Sequence, residues 1–281
     1  MIFKNAMSFK ARIKQIAKER NITTQQVQQN YLIEVFLEKL AKSNYRKNFI
    51  LKGGYVIGSI LGLDQRTTMD LDTTIKGFTL TAEKLADIAK EILLIPTDES
   101  FELSFVSVSE IRETDDYLGY RLKLHADFEE IHELISIDVT TGDAITPREI
   151  VYSMERLFSE GNIDVLCYPV ESIMAEKIET ILSRGIASTR PRDLYDVYGL
   201  LRLREAEMNW RIGMLALQNT MLKRNSNFKL ADSQKIIAII KNSGVQQQLW
   251  KKYQRQYHYA RDIGFDDAVD SVIVVLQKMG V

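Results

Sequence analysis

The run Lys52–Asp72, KGGYVIGSILGLDQRTTMDLD, decides how this chain is read. It follows a short apolar stretch, NFIL (48–51), opens on two glycines and ends on two aspartates spaced by two. Gly53 and Gly54, between a strand and a short helix, let backbone amides approach a phosphate with no Cβ in the way, and a helix N-terminus favours an anion. The Thr-rich alternation of TTMDLDTTI (67–75) predicts a strand, in which Asp70 and Asp72 point to one face. Two carboxylates on one face repel unless a cation lies between them, and magnesium, which takes hard oxygen ligands, would bridge such a pair to nucleotide phosphates. The same spacing reads equally as an exposed strand face with solvated acids.

A third acid extends the pattern. FELSFVSVSEI (101–111), YLGYRLKLHADF (117–128) and ELISIDVTTGD (133–143) each alternate apolar and polar residues and predict three strands. Asp138 has the opposite parity to Ile135 and Ile137, so it shares the less apolar face with Asp70 and Asp72 if the two strands are neighbours. Three carboxylates on adjacent strands can hold two magnesium ions and leave one to take a proton from an attacking hydroxyl. Asp143, after Gly142, reads as turn chemistry.

Helices surround these strands. The first 45 residues read as helical, with an apolar stripe through Leu32, Val35, Phe36 and Leu40 that Thr23 or Thr24 is placed to cap. TAEKLADIAKEIL (81–93) reads as a helix opened by Thr81. From Pro169 the pattern is helical almost to the end, and PVESIMAEKIETILSRG (169–185) is bounded by Pro at its start and Gly past its end. The expected architecture is α+β: residues 1–165 form a small mixed sheet flanked by helices, and residues 166–281 form an all-helical domain.

In the helical part, Lys177 lies mid-helix among isoleucines, where it is either solvated or able to reach a β or γ phosphate. RPRDLYDVYGLL (190–201) puts Arg192, Asp193 and Asp196 in the first turns of a helix, where acids suit the helix dipole without further function.

The 281 residues are 45% hydrophobic and 27% charged, with one cysteine and three histidines. That composition excludes a disordered chain, a disulfide framework and a Cys-rich zinc site. No apolar run is long enough for a membrane span, and Lys and Arg interrupt the N-terminal window where a signal peptide needs an apolar core. A reducing cytoplasm is expected. The net charge of −1 hides an asymmetry: from Arg202 to Arg261 twelve Lys or Arg stand against three acids, a surplus of nine that leaves −10 on the remainder. Lys223, Arg224, Lys251, Lys252 and Arg255 are therefore candidate RNA phosphate contacts. In WKKYQRQYHYAR (250–261) the aromatics recur at helical spacing and read first as a core-facing stripe, second as a stacking surface.

LKGGYVIGSILGLDQRTTMDLD, YRLKLHADF with LISIDVTTGD, and IMAEKIETILSR with RPRDLYDVYGLL, in this order across residues 48–203, together resemble the AbiEii/AbiGii toxin family of nucleotidyltransferases. Thr68 stands where many relatives carry Ser, and Tyr55 where a small residue is common; neither departure touches the carboxylates. The resemblance implies a DNA polymerase β-like nucleotidyltransferase fold and transfer of a nucleotide from an NTP to an acceptor with release of pyrophosphate. It implies tRNA or another RNA as acceptor, arrest of growth or abortion of phage infection, and a cognate antitoxin, a DNA-binding repressor from the same operon. On that model Asp70, Asp72 and Asp138 are the catalytic and metal-binding acids, for two Mg2+ ions. Lys52, Gly53, Gly54, Arg66 and Thr68, with Lys177, Arg192 and Asp193 from the helical part, meet the nucleotide.

Other classes compete. A non-catalytic member that binds RNA or a partner through its basic helices is opposed by three intact acids, and protein nucleotidylation remains an alternative transfer. A metal phosphohydrolase lacks a His-Asp pair at metal spacing, and neither G-x-G-x-x-G nor G-x4-G-K-[ST] occurs, which removes Rossmann and P-loop enzymes.

Overall fold

The computed structural model describes residues 2–112 and 118–281; Tyr117, the first residue of one run expected as a strand, lies outside them. The chain divides into two compact units, one of Met1–Gly142 with Ile150–Cys167, the other of Asp143–Glu149 with Tyr168–Val281. Among the described residues there are seven strands and ten α-helices, and no helix is long and apolar enough to cross a membrane.

In the first unit α1 (Ala6–Glu19) and α2 (Thr24–Lys42) precede β1 (Phe49–Lys52), α3 (Gly53–Leu61), β2 (Leu71–Ile75) and α4 (Ala82–Leu93). Then follow β3 (Glu102–Arg112), β4 (Leu118–Phe128), β5 (Ile131–Thr141), β6 (Ile150–Glu155) and β7 (Asn162–Cys167). Thr23 caps α2 reciprocally: its side chain accepts from the Gln26 N–H, and the Gln26 side chain accepts from the Thr23 N–H. That satisfies two of the donors a helix start leaves open. Thr81 caps α4, as its position predicts.

The strands form one mixed sheet in the order β3-β4-β5-β2-β1-β7-β6. β2 runs parallel to β5 and β1 to β7, and the other neighbours are antiparallel. α2 packs against β7 and α4 against β3. The alternation on β4 and β5 buries Leu122, Leu124, Ile135, Ile137 and Val139, and leaves Arg121 and Asp138 partly exposed at the opposite parity. Five of these strands are legible as expected; the β6–β7 hairpin is an addition, and it makes the sheet larger than the small one the pattern suggests. Adjacent Ile150 and Val151 on the outermost strand β6 are both exposed, so β6 carries no period-two signal.

Helix α2 is buried on most of its circumference, including Glu34 and Glu38. The Leu157 N–H donates to Glu34 Oε2 at 2.7 Å. Glu38 accepts from Arg156 and Lys42, each at 2.8 Å, and the Tyr31 hydroxyl donates to Glu99 at 2.6 Å. Burial pushes the Glu34 carboxyl up to about 7 against the pull of the Leu157 N–H. Burial acts on Glu38 in the same sense, but the bonds from Arg156 and Lys42 outweigh it and hold that carboxyl down at about 2. The lone cysteine, Cys167, is buried, and burial pushes its thiol up to about 12, which makes it a poor nucleophile.

The second unit holds α5 (Val170–Arg184), α6 (Pro191–Arg204), α7 (Trp210–Lys223), α8 (Ser233–Lys241), α9 (Gly244–Gln256) and α10 (Phe265–Met279). α5 packs on α6 and α7, and α10 on α6 and α8. Pro169 stands at the N-cap position of α5, one residue before the helix and without a side-chain capping bond, and Gly185 follows its end with φ +51. Of the aromatic stripe Trp250, Tyr253 and Tyr257, the first two are buried, as a core-facing stripe requires, and Tyr257 at the helix end is half-buried; the Trp250 indole N–H donates to Ile263 O at 3.0 Å.

Candidate functional site

The sheet brings four charged residues into one row. Lys52 on β1 is in register with Asp72 on β2, Asp72 with Asp138 on β5, and Asp138 with Arg121 on β4. Residues in register on adjacent strands present their side chains to the same face, so two acids stand side by side between two cations. Asp70 lies one residue ahead of β2 and is exposed. Its N–H donates to Thr68 Oγ1 at 3.4 Å, so a turn, and not the strand, positions it.

Gly53 begins α3 with φ +67, and a Cβ there would collide with the Asp72 carboxylate. Only glycine tolerates both that backbone and that approach. A Cβ on Gly54 would come within 2.9 Å of Arg66 Nη2 and 3.2 Å of Thr68 Oγ1. The glycine pair thus seats the start of α3 directly on Asp72 and on the Arg66–Thr68 segment. Helix α2 fixes that segment from its other side: the Gln26 side chain donates to Thr67 Oγ1 at 2.8 Å and the Asn30 side chain to Thr68 O at 3.0 Å. Arg66 is 1% exposed and donates to Thr67 O, so its guanidinium braces the turn from inside.

Arg121 is a residue that the sequence reading passed over. Its Nε donates to Asp138 Oδ1 and its Nη2 to Asp138 Oδ2, both at 2.7 Å, with the side chains 43% and 21% exposed. The bond and charge of Asp138 hold the guanidinium above its ordinary pKa, and the charges of Asp70 and Asp72 act in the same direction. All three acids therefore act on one cation. Asp138, expected among the metal ligands, has both oxygens engaged by Arg121. Among the described residues no group of three or more His, Cys, Asp or Glu is arranged to hold a metal ion. The donor chemistry that fits a metal is the pair of hard carboxylates Asp70 and Asp72, and magnesium is commonly held by one or two carboxylates together with substrate phosphates.

Lys177, Arg192 and Asp193 belong to the second unit. Lys177 is neither solvated nor extended: its Nζ lies 2.7 Å from Asp193 Oδ1 and 2.8 Å from Asp196 Oδ2, and both acids are buried. Arg190 reaches the second oxygen of Asp193 at 3.2 Å, and Arg192 is exposed. The candidate RNA contacts Lys223, Arg224, Lys251, Lys252 and Arg255 are all exposed, but Arg224 is held by Glu176 at 3.0 Å and Glu179 at 2.7 Å.

No curated protein matches the chain. Among solved structures, a candidate nucleotidyltransferase from Helicobacter pylori matches with a TM-score of 0.51 at 16% identity, over 92% of this chain and 98% of that one. JHP933 from Helicobacter pylori matches with the same TM-score and identity, over 92% of this chain and 94% of its own. These likenesses show a shared fold. The family model of the nucleotidyl transferase AbiEii toxin, type IV toxin-antitoxin system, matches residues 35–271, and the chain, with its glycine-seated helix and its row of charged residues across the sheet, belongs to that family.

Proposed function

We propose that this chain is a toxin that transfers a nucleotide from an NTP to an RNA acceptor, foremost tRNA, with release of pyrophosphate. The observation that carries the reading is the register of Asp72 with Asp138, beside the N-terminus of α3 and next to Asp70. Nucleotidyl transfer needs an acceptor hydroxyl to lose its proton, attack the α-phosphorus and displace pyrophosphate. The backbone amides at Gly53 and Gly54 face the triphosphate, and the positive end of α3 favours its charge. Asp70 and Asp72 would hold magnesium, which when bound offsets charge on the phosphates. Asp138 takes the hydroxyl proton, and Arg121 fixes its orientation. Arg66 and Thr68 shape the turn that presents Asp70. Lys177 and Asp193, buried together, hold α5 on α6 within the second unit, and exposed Arg192 adds a cation to that unit's surface.

Membership in a type IV toxin-antitoxin family implies an antitoxin partner and an NTP substrate. The proposed antitoxin is a DNA-binding repressor from the same operon, and the proposed outcome of transfer is growth arrest or abortion of phage infection in the cytoplasm. The test is incubation of the purified chain with magnesium, each labelled NTP in turn, and total RNA or total protein. Label in tRNA supports the reading. Label in protein alone makes it a protein-nucleotidylating enzyme, and no label with any NTP, in a preparation whose Asp70→Asn variant behaves identically, removes the enzymatic reading.

A further inference from the structure

The second unit carries a concavity that the charged row on the sheet does not use. It is open, about 350 Å³, and lined by Lys251, Gln254, Arg255 and Arg261. Lys251 and Arg255 are four apart on α9 and therefore share one face of it. Arg261 comes from the turn that follows the short 3-10 helix His258–Ala260. That turn is pinned to α9: the Gln254 side chain donates to Arg261 O at 3.1 Å and to Ile263 O at 2.8 Å, and the buried Trp250 donates to the same Ile263 O. The cations thus converge from two segments whose spacing the fold fixes in advance.

What distinguishes these cations is that they converge on one space with no acid among them. Elsewhere in this unit cations that enter the structure have carboxylates: Lys177 has Asp193 and Asp196, Arg224 has Glu176 and Glu179, and Lys241 has Asp270. Among the described residues Lys251, Arg255 and Arg261 have none, and no acid lines the concavity. Three like charges held around one small space repel each other until an anion enters it. Two half-buried rings, Tyr257 and Tyr259, stack on one another in the adjoining turn with centroids 5.3 Å apart. Half-buried aromatics two and four residues before Arg261, and a basic hollow roomy enough for more than one phosphate, suit a single-stranded polynucleotide, whose phosphates alternate with bases that stack.

We propose that the concavity formed by Lys251, Gln254, Arg255 and Arg261 is a docking site for backbone phosphates of single-stranded RNA. It rests on the transfer reading above only for choosing RNA as the polyanion. It also divides the candidates from the sequence: Arg261 joins Lys251 and Arg255, whereas Lys252, their neighbour on α9, does not line the hollow.

The experiment measures binding of a short fluorescein-labelled single-stranded RNA to the full chain, without NTP or magnesium, across a series of salt concentrations. The variants are Lys251→Gln/Arg255→Gln/Arg261→Gln and, with the same change in net charge outside the hollow, Lys229→Gln/Lys235→Gln/Lys252→Gln. The first triple is expected to bind about tenfold or more weakly and to flatten the slope of log affinity against log salt by about two units, since each single-strand phosphate contact contributes roughly 0.7. The second triple is expected to stay within about threefold of the parent, because scattered surface cations add only long-range attraction. Equal losses in both triples, or parental binding in the first, would overturn the site. So would ATP or polyglutamate competing as well as RNA, which would make the hollow a nucleotide or acidic-peptide site. The binding experiment is independent of transfer, and a separate transfer assay keeps the two readings apart: a chain that transfers nothing yet shows the expected RNA losses retains the site and loses the enzymatic reading, whereas transfer to RNA with parental KM in the first triple does the reverse.

Discussion

Arg121 grips both oxygens of Asp138, at 2.7 Å each, one strand away from the Asp72 that stands in register with that same aspartate. The pair is partly exposed, so it contributes within about 1 kcal/mol to stability. In the proposed transfer it sets the orientation of the proton acceptor. Asp138→Asn is therefore expected to lower kcat by about a hundredfold or more with little change in Tm. Arg121→Lys keeps the charge and loses the two-point grip, so its kcat should fall between that of the parent and that of Arg121→Gln. Parental kcat in Asp138→Asn would return the pair to ordinary surface chemistry.

Gly53 and Asp72 are coupled through space. Gly53→Ala forces a Cβ into a backbone with φ +67 and against the Asp72 carboxylate, and a cost of about 1–3 kcal/mol is expected from the backbone strain alone. The collision adds to this. In an Asp72→Ala background the carboxylate is gone and only the residue-72 Cβ, 3.2 Å away, stays close, so the same glycine substitution should cost less. Urea unfolding of the four proteins in this cycle measures the difference; strict additivity would mean that the helix start moves away from the carboxylate at no cost.

What the sequence disclosed about this site follows from parity. Asp138 could be aligned with Asp72 because alternation along a strand assigns each residue to a face, and the parallel β2–β5 pairing places them side by side. Asp70 was expected within the strand but lies just before it, since the Thr68 hydroxyl turns the chain there. Arg121 was hidden by the hairpin: β4 and β5 are joined through the two residues Glu129 and Glu130, with Glu129 at φ +49, and that turn sets the register that brings Arg121 opposite Asp138. Asn-Gly or Asp-Gly would have announced such a turn, whereas Glu-Glu does not. Lys177 was legible as a helical residue among isoleucines, but its two aspartates are 16 and 19 positions on in another helix, and only the packing of α5 on α6 reveals them.

That packing changes what removal of Lys177 should do. Lys177→Met leaves Asp193 and Asp196 buried without their shared cation, and a loss of about 3–5 kcal/mol is expected from stranding buried charge. Converting both aspartates to Asn in the same chain should recover much of it. Chemical denaturation gives the stability, and NTP titration of whatever remains folded separates a structural role from contact with nucleotide. Full stability in Lys177→Met with weakened NTP binding would show that the lysine serves the nucleotide first.

Glu34 gives the chain a predictable pH dependence. Its carboxyl is pushed by burial from its ordinary value up to about 7, so between the unfolded value of about 4.3 and 7 the folded chain binds more protons than the unfolded one. Stability must then fall as pH rises through that window, because ionising Glu34 in place is costly once the chain is folded. Glu38 works in the opposite sense and in another range: held down at about 2 by Arg156 and Lys42, it contributes stability above the unfolded value that is lost as pH drops through the acid range. The two effects separate near the ordinary carboxylate pKa. Glu34→Gln keeps an oxygen to accept from the Leu157 N–H and removes the titration. Its Tm should therefore exceed the parent's at pH 8 and approach it at pH 5, while the loss below pH 4 that Glu38 causes stays in both. A parent whose Tm rises steadily from pH 5 to pH 8, with Glu34→Gln running parallel to it, would show that Glu34 is ionised in the folded chain throughout.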